Sequence, residues 1–299
     1  MNDEVLRGVP MTVLCDGAVT EPRLSHPEGI AIDADGFVWC GGERGEIYRI
    51  APDGSSREIV ASTDGFCLGL AFDRHGDLFV CDQKHAAVFR LQTSSGKLEL
   101  FADGVSGHRF RIPNYPAFDS AGRLFVSDSW EFGTPGPGVI ALDPDGTGEV
   151  WHAGPFTFAN GLAFSADGTR LYVVETFRHA VSVITVEEDG SAGAKRDLVT
   201  LPGAYPDGLA VAEDGSVLVG CYQPSQILRV RRDGQVEVVG EDVSAHLLAH
   251  PTNIAFQGDA LLAANLGRWH ITKLEIGLRG VPLPPPARPL APTSPGVGS

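Results

Sequence analysis

Short apolar runs separated by turn residues recur six times along the chain. Each unit has a two-residue lead, an apolar run, an Asp/Gly turn and a second apolar run, as in "PEGIAIDADGFVWC" from residue 27 and "PDGLAVAEDGSVLVG" from residue 206. An alanine shared by the six units falls at positions 31, 71, 117, 163, 210 and 255, in steps of 40, 46, 46, 47 and 45 residues. Such regular spacing predicts an internal structural repeat.

Each unit then continues into further apolar runs, such as "EIYRIAP" and "REIVAS" in the first unit. Their length and patterning predict strands, and no stretch of the chain shows a convincing helical period. Four strands in about 45 residues are typical of one propeller blade. The sequence therefore predicts an all-β fold, a six-bladed β-propeller with four antiparallel strands per blade.

The sixth unit has no fourth strand of its own, because a Pro-rich segment follows it. A run of the same form, "MTVLCDG" at residues 11–17, stands at the other end of the chain. We expect this N-terminal strand to pair with the last blade and close the ring, which removes open strand edges. The predicted propeller domain spans residues 1–280, and the Pro-rich tail 281–299 is predicted to be disordered.

Charge and composition narrow the classes of partner. The formal net charge of −15 disfavours nucleic acid and anionic membrane surfaces, because both are bound mainly through Lys and Arg. No apolar run reaches the roughly 18–20 residues of a membrane span, and the N-terminus lacks a signal-peptide pattern. The five cysteines never occur in a CxxC spacing, as expected for free thiols in a reducing compartment. We expect a cytoplasmic protein whose partner is a small molecule.

The repeat alignment places one residue of each unit at the head of the channel, just before the innermost strand. This column is Glu28, Leu68, Asn114, Asn160, Asp207 and Thr252. Two carboxylates and two amides converging on one axis are costly to bury unless they are paired, and a bound cation would satisfy all four. Oxygen ligands without His or Cys favour a hard ion, Ca²⁺ first, with Zn²⁺, Mn²⁺ and Mg²⁺ as alternatives. Turn capping and a solvated rim are the competing interpretation of these residues.

Two long loops, 103–114 and 128–139, are predicted on the same face of the propeller. They would bring Arg109 and Arg111, with aromatic neighbours, over the channel mouth, where they could bind substrate. A second column follows the second strands and supplies possible outer partners of the metal or a base. Its members are Gly42, Asp82, Asp128, Glu175, Cys221 and Asn265. The histidines nearest the mouth, at positions 26, 108 and 250, are expected at the surface or behind the site residues rather than in catalysis.

Three motifs, "PEGIA", "ANGLAFSADGTRLYVVET" and "YPDGLAVAEDG", resemble those of the gluconolactonase / senescence marker protein / luciferin-regenerating family of six-bladed propellers. The likeness extends over residues 11–277. It implies one divalent cation in the channel, held by Glu28, Asn160 and Asp207. The diisopropyl fluorophosphatases, which are related, use a further Asn that resembles Asn114.

One stretch departs from the family pattern. Many lactonases of the family carry Arg-x-Asn-Asp-Gly in the third blade, whereas this chain reads "RIPNYPAFD". Asn114 is kept, Tyr115–Pro116 replaces Asp–Gly, and Arg111 lies three residues upstream instead of two. The departure bears on the substrate, sugar lactones in particular.

The resemblance implies metal-assisted hydrolysis of a lactone or ester. Asp207 would be the catalytic general base or nucleophile, while Asn114, Arg109 and Arg111 would orient the substrate. Two other hypotheses remain open: a phosphoester hydrolase, isomerase, lyase or cyclase on the same metal site, and a binding propeller without catalysis. The sequence has no G-x-S-x-G, P-loop or dinucleotide motif, which disfavours serine-hydrolase, nucleotide and redox chemistry.

Overall fold

A computed structural model describes residues 6–282 of the protein, and nearly all of its regular structure is β-strand. One short 3₁₀ helix, η1 (Thr176–Arg178), interrupts the strands. Of the predicted Pro-rich tail, residues 283–299 lie outside the described residues. Apart from one two-stranded hairpin, the strands form six antiparallel sheets that surround a central channel, so the predicted six-bladed propeller is confirmed.

The first two strands, β1 (Leu6–Gly8) and β2 (Met11–Asp16), precede the first blade. The first blade contains β3 (Ile30–Ile32), β4 (Val38–Gly41), β5 (Glu46–Ile50) and β6 (Arg57–Ser62). The second contains β7 (Cys67–Phe72), β8 (Leu78–Asp82), β9 (Ala87–Gln92) and β10 (Lys97–Ala102). A small hairpin of β11 (Gly104–Val105) and β12 (His108–Arg109) follows.

The remaining blades repeat the same arrangement. The third contains β13 (Pro113–Phe118), β14 (Leu124–Asp128), β15 (Val139–Leu142) and β16 (Gly148–His152). The fourth contains β17 (Ala159–Phe164), β18 (Arg170–Glu175), β19 (Ala180–Val186) and β20 (Ala192–Thr200). The fifth contains β21 (Tyr205–Val211), β22 (Val217–Gln223), β23 (Gln226–Val230) and β24 (Val236–Asp242). The sixth contains β25 (Pro251–Gln257), β26 (Ala260–Asn265) and β27 (His270–Leu274).

The N-terminal strands complete the last two blades. Strand β2 pairs antiparallel with β27, from Met11 opposite Leu274 to Asp16 opposite His270, and so supplies the fourth strand of the sixth blade. The expected closure of the ring by an N-terminal strand is therefore confirmed. Strand β1 additionally pairs with β24 and gives the fifth blade a fifth strand, which the repeat did not predict.

The core lies between the blades rather than inside any one of them. Buried apolar side chains form six clusters, one for each pair of neighbouring blades. Second strands such as β8 and β14 are buried along their whole length. Their apolar runs do not alternate, because both faces of each blade contact a neighbour.

The Asp–Gly turns between first and second strands are structural. In the fifth blade, Asp214 Oδ1 accepts a hydrogen bond from the backbone N–H of Ser216 at 2.8 Å. Gly215 adopts φ +80°, the left-handed conformation that glycine reaches without a Cβ clash. Side-chain acceptance of nearby N–H groups is the usual way in which Asp stabilises a tight turn.

The C-terminal segment pairs with the fifth blade on the same face as these turns. The N–H of Glu213 donates to the carbonyl of Arg279 at 2.8 Å, and Val281 N–H donates to Val211 O at 2.9 Å. Gly280 and Val281 consequently line the mouth of the channel at that end. Within residues 6–282, no helix has the length and hydropathy needed to cross a membrane.

Substitution of Leu24 tests the packing at the seam, the contact between the sixth and first blades where the ring closes. Its side chain is fully buried in the cluster between the sixth and first blades, whereas Val19 in the same loop is 83% exposed. Leu24→Ala should lower the free energy of unfolding by about 2–5 kcal/mol, because it leaves a cavity. Val19→Ala, the matched control, should change it by less than about 0.5 kcal/mol. Urea denaturation measures both, and equal stabilities would contradict a closely packed seam.

Candidate metal centre

Every member of the predicted channel column is buried at the head of an innermost strand. Their exposed fractions run from 0% for Thr252 to 8% for Asp207. In five blades the pairing of the first and second strands shifts register at this point, for example between Pro113 and Pro116 in the third blade. A β-bulge re-aims side chains locally, which places these residues at the head of the channel.

Two of the six positions do not offer a free oxygen. Leu68 is apolar, and the hydroxyl of Thr252 donates to the backbone oxygen of Glu28 at 2.9 Å. The residues that remain are the four predicted metal ligands, Glu28, Asn114, Asn160 and Asp207, and they line one cavity.

The hydroxyl groups of Ser129 and Thr176 fix the orientation of the two amides. Asn114 Nδ2 donates to Ser129 Oγ at 3.0 Å, and Asn160 Nδ2 donates to Thr176 Oγ1 at 3.1 Å. The Ser129 hydroxyl donates in turn to the carbonyl of Ala159 at 2.5 Å, so it must accept from Asn114. Both amide groups are therefore held by their nitrogen atoms, which leaves their oxygens available.

Three buried oxygens at this point have no hydrogen-bond partner: Asn114 Oδ1, Asn160 Oδ1 and Asp207 Oδ1. An unpaired buried acceptor costs about 1–3 kcal/mol, and a charged one costs more. Burial raises the pKa of Asp207 to about 7 from its ordinary 3.8. Burial, followed by the charge of Asp207, also raises the pKa of Glu28 well above its usual range. No Lys, Arg or His side chain lines the cavity to offset the charge of these acids.

A divalent cation fits this set of donors. Oxygen ligands from carboxylates and amides suit hard ions such as Ca²⁺, and a positive charge would satisfy these three unpaired acceptors. Residues 6–282 contain no cluster of three or more His, Cys, Asp or Glu side chains that could hold a metal. A cation in this channel would depend on the two Asn oxygens as well as on the carboxylates.

The carboxylate and amide side chains of the second column accept hydrogen bonds from backbone N–H groups of the loops and do not line the cavity. Asp82 accepts from the N–H groups of Phe66 and His85, and Asp128 accepts from those of Arg111, Ile112 and Trp130. Glu175 and Asn265 likewise accept from backbone N–H groups of the preceding loop, at 3.0 and 2.8 Å. These side chains are almost fully buried. They anchor the segments that lead into the innermost strands.

The two loop arginines do not line the cavity. Arg109 pairs with Asp103, while Arg111 pairs with Glu131 and lies 4.0 Å above the ring of Trp130. Each guanidinium group is thus paired with a carboxylate from one of these two loops. The three histidines predicted near the mouth contact other partners. The ring of His108 lies 3.0 Å from Asp128 Oδ2, and the rings of His26 and His250 lie 2.8 Å from backbone oxygens.

Tyr115, which stands where the related motif has Asp, is buried below Asn114. Its hydroxyl donates to the carbonyl of Leu209 at 3.4 Å, and its ring belongs to the cluster between the third and fourth blades. The departure from the family motif therefore contributes an apolar ring to the packing and adds no acid to the cavity.

Sequence reasoning missed the hydroxyls that orient the amides and the aromatic wall of the cavity. The cavity measures about 420 Å³, and six aromatic side chains line it: Phe66, Phe132, Phe158, Phe177, Tyr205 and Tyr222. The hydroxyls could have been found from the sequence, because Ser129 and Thr176 each directly follow a member of the second column. Phe66, Phe158 and Tyr205 each stand two residues before a member of the channel column, so the repeat could have located them, whereas Phe132 and Phe177 share no position in the repeat.

Two named proteins are similar to the chain in sequence. Protein STRICTOSIDINE SYNTHASE-LIKE 4 of Arabidopsis thaliana is 26% identical over 209 residues, which are 64% of this chain and 55% of that protein. The chain thus spans little more than half the length of this relative. Lactonase drp35 of Staphylococcus saprophyticus is 25% identical over 255 residues, covering 80% of this chain and 78% of the lactonase.

Solved structures share the fold. A calcium-binding protein, regucalcin, from Agrobacterium tumefaciens superimposes with a TM-score of 0.75 at 18% identity, covering 94% of this chain and 98% of the other. A short N-terminal match, residues 18–50, is to the strictosidine synthase-like N-terminal family. The model of the family described as SMP-30/Gluconolactonase/LRE-like region matches residues 43–264. Because that match spans most of the propeller, the chain belongs to the SMP-30/gluconolactonase/LRE-like family.

Proposed function

We propose that the protein is a lactonase or related esterase that depends on a divalent cation, for which the oxygen donors favour Ca²⁺. The observation that carries this proposal is the group of three unpaired buried oxygens beside Glu28 at the head of an accessible cavity. Two further facts support it: a relative named as a lactonase aligns with 80% of the chain, and a structural neighbour is described as calcium-binding.

Glu28, Asn114, Asn160 and Asp207 would hold the cation. When bound, a divalent cation supplies Lewis-acid polarisation of a substrate carbonyl and lowers the pKa of a coordinated water. The residues of the chain keep the site preorganised. Ser129 and Thr176 hold the two amide oxygens toward the cavity, so little reorganisation is needed when substrate enters.

Asp207 is the proposed catalytic base. Its carboxylate lies in the lining of the cavity, where the oxygen that does not bind the cation could accept a proton from the attacking water. A nucleophilic role for the same oxygen is the alternative. Arg109 and Arg111 receive no role in substrate binding in this proposal, because both are engaged with loop carboxylates.

A binding propeller without catalysis is the second candidate. The apolar cavity suits it, because ligand sites are commonly lined by aromatic side chains with few polar groups. It would not require a metal, however, and would leave the buried carboxylates and amides without a partner.

Substitution of Asp207 should strongly weaken the binding of the metal ion. Asp207→Ala takes one of two carboxylates from the site, so isothermal titration of Ca²⁺ into chelator-treated protein should show affinity lowered by at least about 100-fold, or about 2.8 kcal/mol. Asp214→Ala removes the turn carboxylate of the same strand pair and is the matched control, which should bind Ca²⁺ as the wild type does. Absence of Ca²⁺ binding to the wild-type protein, with no other divalent ion bound on elemental analysis, would overturn the proposed metal site.

Turnover should depend on both the ion and Asn114. Wild-type hydrolysis of lactones and aryl esters should be lost with chelator and restored by excess divalent cation. Asn114→Ala should lower kcat/KM by about 10–100-fold while retaining more bound metal than Asp207→Ala, because one neutral ligand is weaker than a carboxylate. A pH-stat or chromogenic assay measures the rates. Hydrolysis that is indifferent to chelator would contradict metal dependence.

The metal-free protein should become less stable as pH rises through the titration of Asp207. The folded-state pKa of about 7 exceeds the ordinary 3.8, so the unfolded chain releases this proton first and stability falls between those pH values. Asp207→Asn lacks the titrating group and should lose less stability over the same range. Added Ca²⁺ should reverse the loss in the wild type. Thermal denaturation in chelator measures this, and parallel curves for the two proteins would contradict the buried ionisable acid.

A further inference from the structure

The residues that line the cavity form two chemically different parts, a polar floor of the four candidate ligands with Thr176 and a wall of the remaining residues. Above the four candidate ligands and Thr176, the lining consists of six aromatic residues, three aliphatic residues and two glutamines. No Lys, Arg or His contributes to the lining. The carboxylates and the asparagine amides are therefore concentrated at one end, and the remainder of the cavity presents mainly apolar surface to a ligand, with two glutamines and two tyrosine hydroxyls as its polar groups.

Three of the aromatic rings form a continuous surface. The ring centroids of Phe132 and Phe158 lie 4.8 Å apart, and those of Phe158 and Phe177 lie 4.9 Å apart. Phe132 is 67% exposed and Phe177 is 36% exposed. Aromatic rings at these separations interact favourably with one another and offer the same contacts to a flat ligand.

Buried hydrogen bonds hold this aromatic surface in place. Glu175 accepts from the N–H of Thr157, and the N–H of Thr176 donates to the carbonyl of Phe158 at 3.2 Å. Phe158 is kept at φ 62°, a conformation that bulky residues rarely adopt. Such backbone strain persists only where the surrounding structure fixes it, and it is concentrated at ligand sites.

The wall also lacks the groups that a charged or highly hydroxylated substrate requires. An anionic substituent would find no counter-charge among the lining residues, because the guanidinium of Arg111 is paired with Glu131 outside the cavity. The several hydroxyls of a sugar lactone would lose water and find few partners on the wall beyond Gln83, Gln223 and the hydroxyls of two tyrosines, Tyr205 and Tyr222. Unpaired polar groups are strongly disfavoured in such a site.

We propose that the cavity selects uncharged lactones or esters with a flat, aromatic body over polyhydroxylated sugar lactones. This inference rests on the proposed lactonase or esterase function. The aromatic body would lie against Phe132, Phe158 and Phe177, with its carbonyl directed to the polar floor. The ester or lactone bond is the one that water cleaves, giving a carboxylate and an alcohol or phenol, so no further reactant is needed.

Binding of lactams, which resist hydrolysis, tests the selectivity separately from turnover. The probes are 3,4-dihydro-2-quinolinone, an aromatic lactam, and gluconolactam, titrated calorimetrically into wild-type protein with Ca²⁺ and with chelator. The aromatic lactam should bind at least about tenfold more tightly, since a few apolar contacts suffice for such a factor. Gluconolactam binding with equal or higher affinity would overturn the inference.

Substitution of the exposed aromatic rings tests whether the aromatic surface causes the tighter binding of the aromatic lactam. Phe132→Ala and Phe177→Ala should each weaken the aromatic lactam by about 3–10-fold and leave gluconolactam within about twofold, because only the former loses ring contacts. Phe177→Leu should show a smaller loss, since it keeps apolar area. Trp269→Ala is the control, because this residue is also exposed but lies outside the lining. An unchanged affinity in both alanine variants would place the ligand elsewhere and overturn the inference.

The proposed hydrolase function and the proposed selectivity for aromatic ligands can be refuted separately. Hydrolysis that depends on metal but favours gluconolactone would refute the aromatic selectivity and retain the lactonase. Preference for the aromatic lactam without metal binding or hydrolysis would support the selectivity of the cavity and refute the hydrolase.

Discussion

Buried acceptor oxygens without donors constrain the head of the channel more than any other feature. The Oδ1 atoms of Asn114, Asn160 and Asp207 are unpaired, and burial, followed by the charge of Asp207, raises the pKa of the neighbouring Glu28. An arrangement of this kind is costly in an empty apolar interior, because desolvation falls on charged and neutral acceptors alike. A cation is the simplest partner that satisfies them together, and the surrounding hydrogen bonds are arranged to keep the oxygens available for it.

Adjacent residues after the second strand divide the supporting roles. In the third blade, Asp128 accepts N–H groups of the loop before β13, while the next residue, Ser129, accepts from Asn114. In the fourth blade, Glu175 and Thr176 repeat this division around Asn160. Successive strand residues point in opposite directions, so one anchors the loop and the other orients the ligand. Loop position and ligand orientation are therefore coupled in both blades.

The sequence predicted the propeller, its closure by residues 11–17 and the channel column, because each follows from the period of the repeat. The role of Asp128 and Glu175 could not be predicted in the same way. A carboxylate at a strand end can face a metal or a loop, and the choice depends on where the N–H groups of that loop converge. Arg111 shows the same limit, since its partners Glu131 and Trp130 belong to a neighbouring loop whose path no repeat specifies.

By itself, the sequence determined the number of blades, the β-class of the fold and the alignment of Glu28, Asn114, Asn160 and Asp207. Each blade needs four strands of similar length, so the chain repeats after about 45 residues, and that repeat can be recognised in a single chain. Only the tertiary structure decided which amide atoms face the cavity and that aromatic rings from separate loops form one wall. Those features depend on side-chain contacts that form only in the folded chain, and the loops that carry Phe132 and Phe177 follow no period that records them.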